Sequence, residues 1–253
     1  MTWTLALAWA VVFAAGIVRG FAGFGFSALC VAGLSLFLPP AQVVPPVFVL
    51  EVLASVTLLR SALRDVDWRW LSWLVAGNAL FIPLGVATLA YLPETPLRFL
   101  IGALLLAAAL LLRSGFALGL APSPGVRMAT GVVSGYVNGV AAIGGIAVAV
   151  IMSTAQMAPA AMRATLIVLF LFTDLYALAS AALIGPSGTG DASLLGADTL
   201  KHALWWTPAM LAGIWVGHRG FKQVSEARFR VLVLNLLIAI AALGVLRALW
   251  ALI

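Results

Sequence analysis

Charge is what this chain has least of. Lys, Arg, Asp and Glu make up 9% of its 253 residues, against 64% hydrophobic side chains, and the mean hydropathy is +1.16. A soluble domain carries roughly a quarter charged residues, and no stretch here is long and polar enough to form one. The single cysteine, Cys30, excludes an internal disulfide and a Cys-rich metal site. His202 and His218 stand alone near segment ends, without a second ligand at metal spacing. Walker, dinucleotide-binding, Ser-His-Asp and metal-ligand patterns are also missing. No cofactor is therefore expected, ATP is not the energy source, and the chain does not read as an enzyme. No basic region precedes the first apolar segment, which reads as a membrane span and not as a cleaved signal.

What is there is apolar sequence almost end to end. Ten segments emerge, at 3–18, 20–38, 43–60, 70–91, 97–112, 127–138, 140–157, 161–184, 200–218 and 229–252. A bilayer core of about 30 Å takes about 20 apolar residues per helix, whereas a transmembrane barrel would alternate in short strands. The fold class is an all-α polytopic membrane protein with eight to ten membrane segments. The pairs flanking Gly20 and Gly139 are short, so each reads either as two spans or as a re-entrant hairpin. Trp68, Trp70, Trp73, Trp205, Trp206 and Trp250 cluster near segment ends, as an interfacial belt would. The net charge of +6 calls for no nucleic acid, because basic residues in short loops follow from the positive-inside rule. The lipid bilayer is the expected partner; oligomeric state is not legible.

Five segments plus five imply a duplication. An offset of 119 residues pairs Gly16 with Gly135, Gly20 with Gly139, Gly25 with Gly144, Arg19 with Asn138 and Pro40 with Pro159. Arg98-Phe99 resembles Arg228-Phe229 once a small length difference is allowed. Loop charge gives the orientation. Arg60, Arg64 and Arg69 follow the third segment, while the matching loop of the second half has Asp191 and Asp198 and no arginine. The next loop reverses this, with Glu94 in one half and Arg219, Lys222, Arg228 and Arg230 in the other. Arginine-rich loops face the cytoplasm. The chain therefore reads as two inverted repeats, 1–118 and 127–253, joined by a loop at 119–126, with both termini outside the cytoplasm.

Inverted repeats with broken helices place a substrate site near the bilayer midplane. The expected breaks are Gly20 to Gly25 and Gly139 to Gly145. Helix starts there would offer N–H groups to an anion, and a guanidinium adds a flat donor fork for oxyanions. The substrate-binding set is therefore Arg19, Gly20, Gly23, Gly25, Asn138, Gly139, Gly144 and Gly145. Arg19 is otherwise a cytoplasmic anchor at a turn. Close helix packing is a second use for Gly16 and Gly20, and for Gly131, Gly135 and Gly139, which are spaced as GxxxG. Glu51 and Asp174 lie deep in apolar runs, where ionisable groups are costly and mark function. They either pair with Arg19, hold the halves together as a structural ion pair, or carry coupled protons. Arg163 and Thr165, after the turn at Pro159, are gate positions or anchors. Asn78 and Asn235 read as interhelical hydrogen-bonding residues.

With these residues in view, the sequence resembles the TauE/SafE sulfite exporters, also called the TSUP family, over nearly its whole length. The resemblance rests on Gly16–Gly25 and Gly131–Gly145 opening two similar halves, on helices ending at Pro40 and Pro159, and on Gly213 and Gly217. It implies a bacterial inner-membrane secondary transporter of a small sulfur-containing anion, sulfite or an organosulfonate such as sulfoacetate, with protons or sodium ions as coupling candidates. A passive anion channel, or a carrier of another small organic anion, is the alternative. Two departures bear on the substrate. Gly23-Phe24-Gly25-Phe26 replaces a more glycine-rich family pattern, and Met162-Arg163-Ala164-Thr165 has Val43-Val44-Pro45-Pro46 as its first-half counterpart.

Overall fold

The computed structural model describes residues 2–114, 123–155, 157–184, 194–220 and 226–250. In chain order the helices are α1 (Thr2–Ala22), α2 (Phe26–Leu34), α3 (Pro40–Ala62), α4 (Trp68–Tyr91) and α5 (Glu94–Ser114). The second half supplies α6 (Pro124–Ala141), α7 (Gly144–Thr154), α8 (Pro159–Ile184), α9 (Ala197–Gly220) and α10 (Glu226–Trp250). The described residues are all-helical apart from turns. All ten expected segments are present, and among the described residues six helices are long and apolar enough to cross a membrane: those spanning 3–21, 40–62, 68–91, 94–114, 159–184 and 231–250. The protein is a polytopic α-helical membrane protein.

Local chemistry sets the helix starts. Asp67 caps α4 by accepting from Trp70 N–H at 3.0 Å, and Ser123 caps α6 by accepting from Val126 N–H at 3.3 Å; both satisfy amides that lack an intrahelical acceptor. Pro40, Pro124 and Pro159 open α3, α6 and α8, where the missing N–H costs nothing. The two short helices answer the question of hairpin or span. α2 has 9 residues and α7 has 11, about 14 and 17 Å at 1.5 Å per residue, so neither crosses about 30 Å of hydrocarbon.

Helices from opposite halves pack most extensively. α4 lies along α6, α1 along α9, α5 against α10 and α3 against α8. Exchanging α1–α5 for α6–α10 maps this pattern onto itself. Without a hydrophobic force between helices in lipid, close backbone approach is what holds such pairs, and glycine rows supply it. A Cβ on Gly139 would overlap Ile82 O of α4, and one on Gly213 would overlap Phe13 O of α1. Gly20 and Gly139 therefore serve helix packing and stand before the chain breaks. Replacing Gly139 with valine is expected to destabilise the protein by about 3 kcal/mol, the upper range for overpacking, because backbone is what it meets. Gly125→Ala on the same helix meets only Ser123 Oγ at 3.9 Å and should be neutral; thermal unfolding in detergent compares the two.

The tryptophan belt is partial. Trp68, Trp73, Trp205 and Trp250 are exposed, but Trp70 and Trp206 are buried. Trp70 packs in the core beneath Arg127, whose Cζ lies 4.8 Å from the ring centroid, and Trp206 stacks with His202. Asn78 accepts from Ser134 Oγ across the α4–α6 seam at 3.3 Å, as expected of an interhelical residue. Asn235 instead lies exposed on α10. Asp191, Lys222 and positions 119–122 of the joining loop lie outside the described residues, as do the side chains of Arg228, Phe229 and Arg230.

The far end of α2 is held from α5 and α10. Arg98 donates to Ser35 O and Arg247 to Leu36 O, and both arginines line a cavity of about 240 Å³ with Ser35, Glu94 and Thr95. Glu94 in turn pairs with Arg98 at 2.7 Å.

Candidate functional site

Both helix breaks occur where the sequence places them, and their geometry repeats. α1 gives way to α2 through Gly23 at φ 79° and Gly25 at φ 90°; α6 gives way to α7 through Ala142 at φ 58°. Gly23 and Ala142 are 119 residues apart, the offset of the repeat. Left-handed backbone is the natural conformation for glycine and strained for alanine, so the second break keeps the bend without the residue that makes it easy.

Each break carries a polar side chain near the end of its first helix, and each side chain reaches the long helix of its own half. Arg19, in the last turn of α1, donates from Nη2 to Ser55 Oγ of α3 at 3.1 Å. Asn138 of α6 donates from Nδ2 to Asp174 Oδ1 of α8 at 3.0 Å. Both bonds span 36 residues. The offset of 119 carries Arg19 onto Asn138 and Ser55 onto Asp174, so one contact has been written twice in different chemistry. In the first half the charge sits on the broken helix; in the second it sits on the long one.

Arg19 is fully buried. Its Nη2 faces Glu51 Oε2 at 3.1 Å, while Nε and Nη1 have no hydrogen-bond partner. A buried guanidinium with two idle N–H directions is an uncommon state. Glu51 Oε1 accepts from Ser27 N–H at 3.2 Å, so the start of α2 is held by a carboxylate, to which the helix dipole is favourable. At the second break Asn138 Oδ1 accepts from Gly144 N–H at 3.3 Å. Both helix starts therefore have a resident side-chain acceptor in place of the open amides that the glycines led us to expect. Asp174 is also buried, its Oδ2 has no partner, and it lies within electrostatic reach of Glu51 and Arg19. Arg19, Glu51, Ser55, Asn138 and Asp174 thus form one cluster inside the helices.

The expected gate residues separate. Arg163 lies against the first break, since a Cβ on Gly23 would come 2.8 Å from its Nε, and it feels the charge of Arg19. Thr165 turns away; its hydroxyl accepts from Asp67 N–H at 3.0 Å and so fastens α8 to the start of α4. Gly144 packs over Ser134 O and Asn138 Cβ, and Gly145 over the ring of Phe170.

Phe170 is the residue that sequence reasoning missed. Its ring centroid lies 5.0 Å from Arg19 Cζ, near enough for a cation–π attraction. One phenylalanine among 13 gives no composition signal, but Phe170 precedes Asp174 by one helical turn, the spacing that puts two side chains on one face. Ser55 was visible only through the offset of the repeat.

The cluster thus combines a buried arginine at a helix break with two deep acids. No curated protein and no solved structure matches the chain significantly. The sulfite exporter TauE/SafE family matches it over residues 8–243. With nearly its full length covered, the chain belongs to the sulfite exporter TauE/SafE family, whose members are membrane transporters of sulfite-type anions.

Proposed function

We propose that this protein is a secondary transporter of the bacterial inner membrane that moves a small sulfur-containing anion, sulfite or an organosulfonate such as sulfoacetate, by alternating access. The observation that carries the reading is Arg19, fully buried at a helix break with Nε and Nη1 unpartnered. Both nitrogens are free to donate, Nε on the edge it shares with the engaged Nη2 and Nη1 on the far side of the planar fork, and a guanidinium with unused donors is suited to oxyanions. The repeats 1–118 and 127–253, inverted as their loop charges imply, would expose Arg19 to one side and then to the other.

Charge balance supports coupling. Arg19 already faces Glu51, and Asp174 stands nearby with a free oxygen. An incoming anion adds a third negative charge to a cluster with one central cation, and repulsion in a low-dielectric interior is severe. A proton on Asp174 removes one unit of the excess, and Arg163 offsets another from the flank. The gradient of that proton, or of the anion itself, then drives flux.

The test is thermal unfolding of the purified protein with sulfite, sulfoacetate, taurine, isethionate, thiosulfate, sulfate and simple carboxylates. A bound anion at a hundred times its Kd stabilises the folded state by about 2.7 kcal/mol. Stabilisation restricted to one or two sulfur oxyanions is the expected result. Stabilisation by none of them would refute the substrate class. Saturable flux that follows a gradient separates a carrier from a passive channel.

A further inference from the structure

We propose that the Phe170 ring occupies the anion's seat, so that the anion binds by displacing the ring from its contacts with Arg19 and the first turn of α7. The inference rests on the reading of Arg19 as the substrate ligand and adds a specificity-determining residue to it.

Three observations meet at this ring. Its centroid lies 5.0 Å from Arg19 Cζ. Its Cε1 and Cζ fill the notch over Gly145, where a Cβ would overlap them. Beneath the ring's neighbour, Arg19 Nε and Nη1 have no partner although the side chain is fully buried. An apolar ring therefore touches both a guanidinium with idle donors and the second residue of an 11-residue helix. Gly144 N–H is held by Asn138 Oδ1 and Ile146 N–H by Ile143 O, so what α7 offers an anion here is the positive end of its dipole. An oxyanion in the ring's place would meet positive potential from Arg19 in the first half and from α7 in the second.

The ring is suited to leaving. It sits at the end of a side chain with two rotatable bonds, and it packs with Phe24, Val148, Ala149 and Leu166 in an apolar cluster at the breaks. Phe24 belongs to the first break and Val148 to α7, so moving the ring loosens contact between the two halves. While the ring is in place it offers Arg19 a cation–π contact and keeps water from the idle N–H groups. The empty carrier is thereby closed without a bound anion, and the anion must outcompete the ring.

Titrating sulfite and sulfoacetate onto the purified full chain by calorimetry tests this. Phe170→Ala is expected to tighten binding roughly tenfold, equivalent to about 1.4 kcal/mol of competition removed. Gly145→Ala keeps the ring but pushes it from its notch, and should tighten binding in the same direction. Neither gain should appear on top of Arg19→Gln. A side chain that only packs would lower the unfolding temperature and leave affinity unchanged or weaker; that outcome, with Arg19 still required, overturns the proposal and spares the functional reading. Wild-type affinity in Arg19→Gln sinks the functional reading itself. Should the alanine variant fail to fold, Phe170→Leu decides with the same signs, tighter binding supporting the displacement and unchanged or weaker binding refuting it.

Discussion

Arg19→Gln is expected to abolish stabilisation of the protein by sulfite and sulfoacetate, a loss of the full shift of about 2.7 kcal/mol at a hundred times Kd. Glutamine keeps a donor near Ser55 but removes the charge and the fork. It also strands Glu51, which now faces Arg19 at 3.1 Å. Breaking a buried pair by removing one partner costs about 3–5 kcal/mol, because the other charge stays behind. The single variant should therefore unfold earlier and bind nothing, which by itself leaves two explanations. The double variant Arg19→Gln/Glu51→Gln separates them. With both charges gone the core recovers stability, yet the anion still has no ligand. Restored stability with restored binding would mean that Arg19 is a structural cation only.

The second large effect concerns Asp174→Asn. Asparagine keeps an oxygen for Asn138 Nδ2, which now donates at 3.0 Å, and exchanges the unpartnered Oδ2 for an amide that cannot titrate. If Asp174 carries one proton per anion, a gradient of one pH unit should support about tenfold accumulation of anion in vesicles containing the wild-type protein, since one unit is worth 1.36 kcal/mol. In the variant that accumulation should vanish while exchange of anion for anion continues. Accumulation that still follows the pH gradient in Asp174→Asn would leave the acid a purely structural role.

Much of this was legible in the sequence because the bilayer imposes it. Apolar length fixed the ten segments, and glycine clusters marked both breaks. The offset of 119 read from glycines and prolines also carries Arg19 onto Asn138 and one of its α3 partners onto an α8 partner of Asn138, although Glu51, its other α3 partner, falls on Phe170. Ser55 and Asp174 are the matched partners. What the sequence did not reveal is of another kind. Glycines at a break announce bare backbone, but whether its amides face a ligand or a neighbouring side chain depends on packing from a distant helix. Glu51 reaching Ser27 N–H is such a case. Phe170 was hidden for the same reason: its position over Gly145 and beside Arg19 arises only when α8 meets two broken helices at once. Trp70 and Trp206 were misassigned to the belt because proximity to a segment end does not say which face of the helix a ring occupies.

The cross-half pairing of α4 with α6 and α1 with α9 has a consequence for biogenesis. A repeat visible in sequence is ordinarily taken for a unit that can mature alone. Here α1 and α4 meet their glycine-lined partners only after the second half has been synthesised, so the first five helices must wait in the lipid as an open set. Insertion and folding are then separate events, the second completed only when α9 and α10 reach α1 and α5.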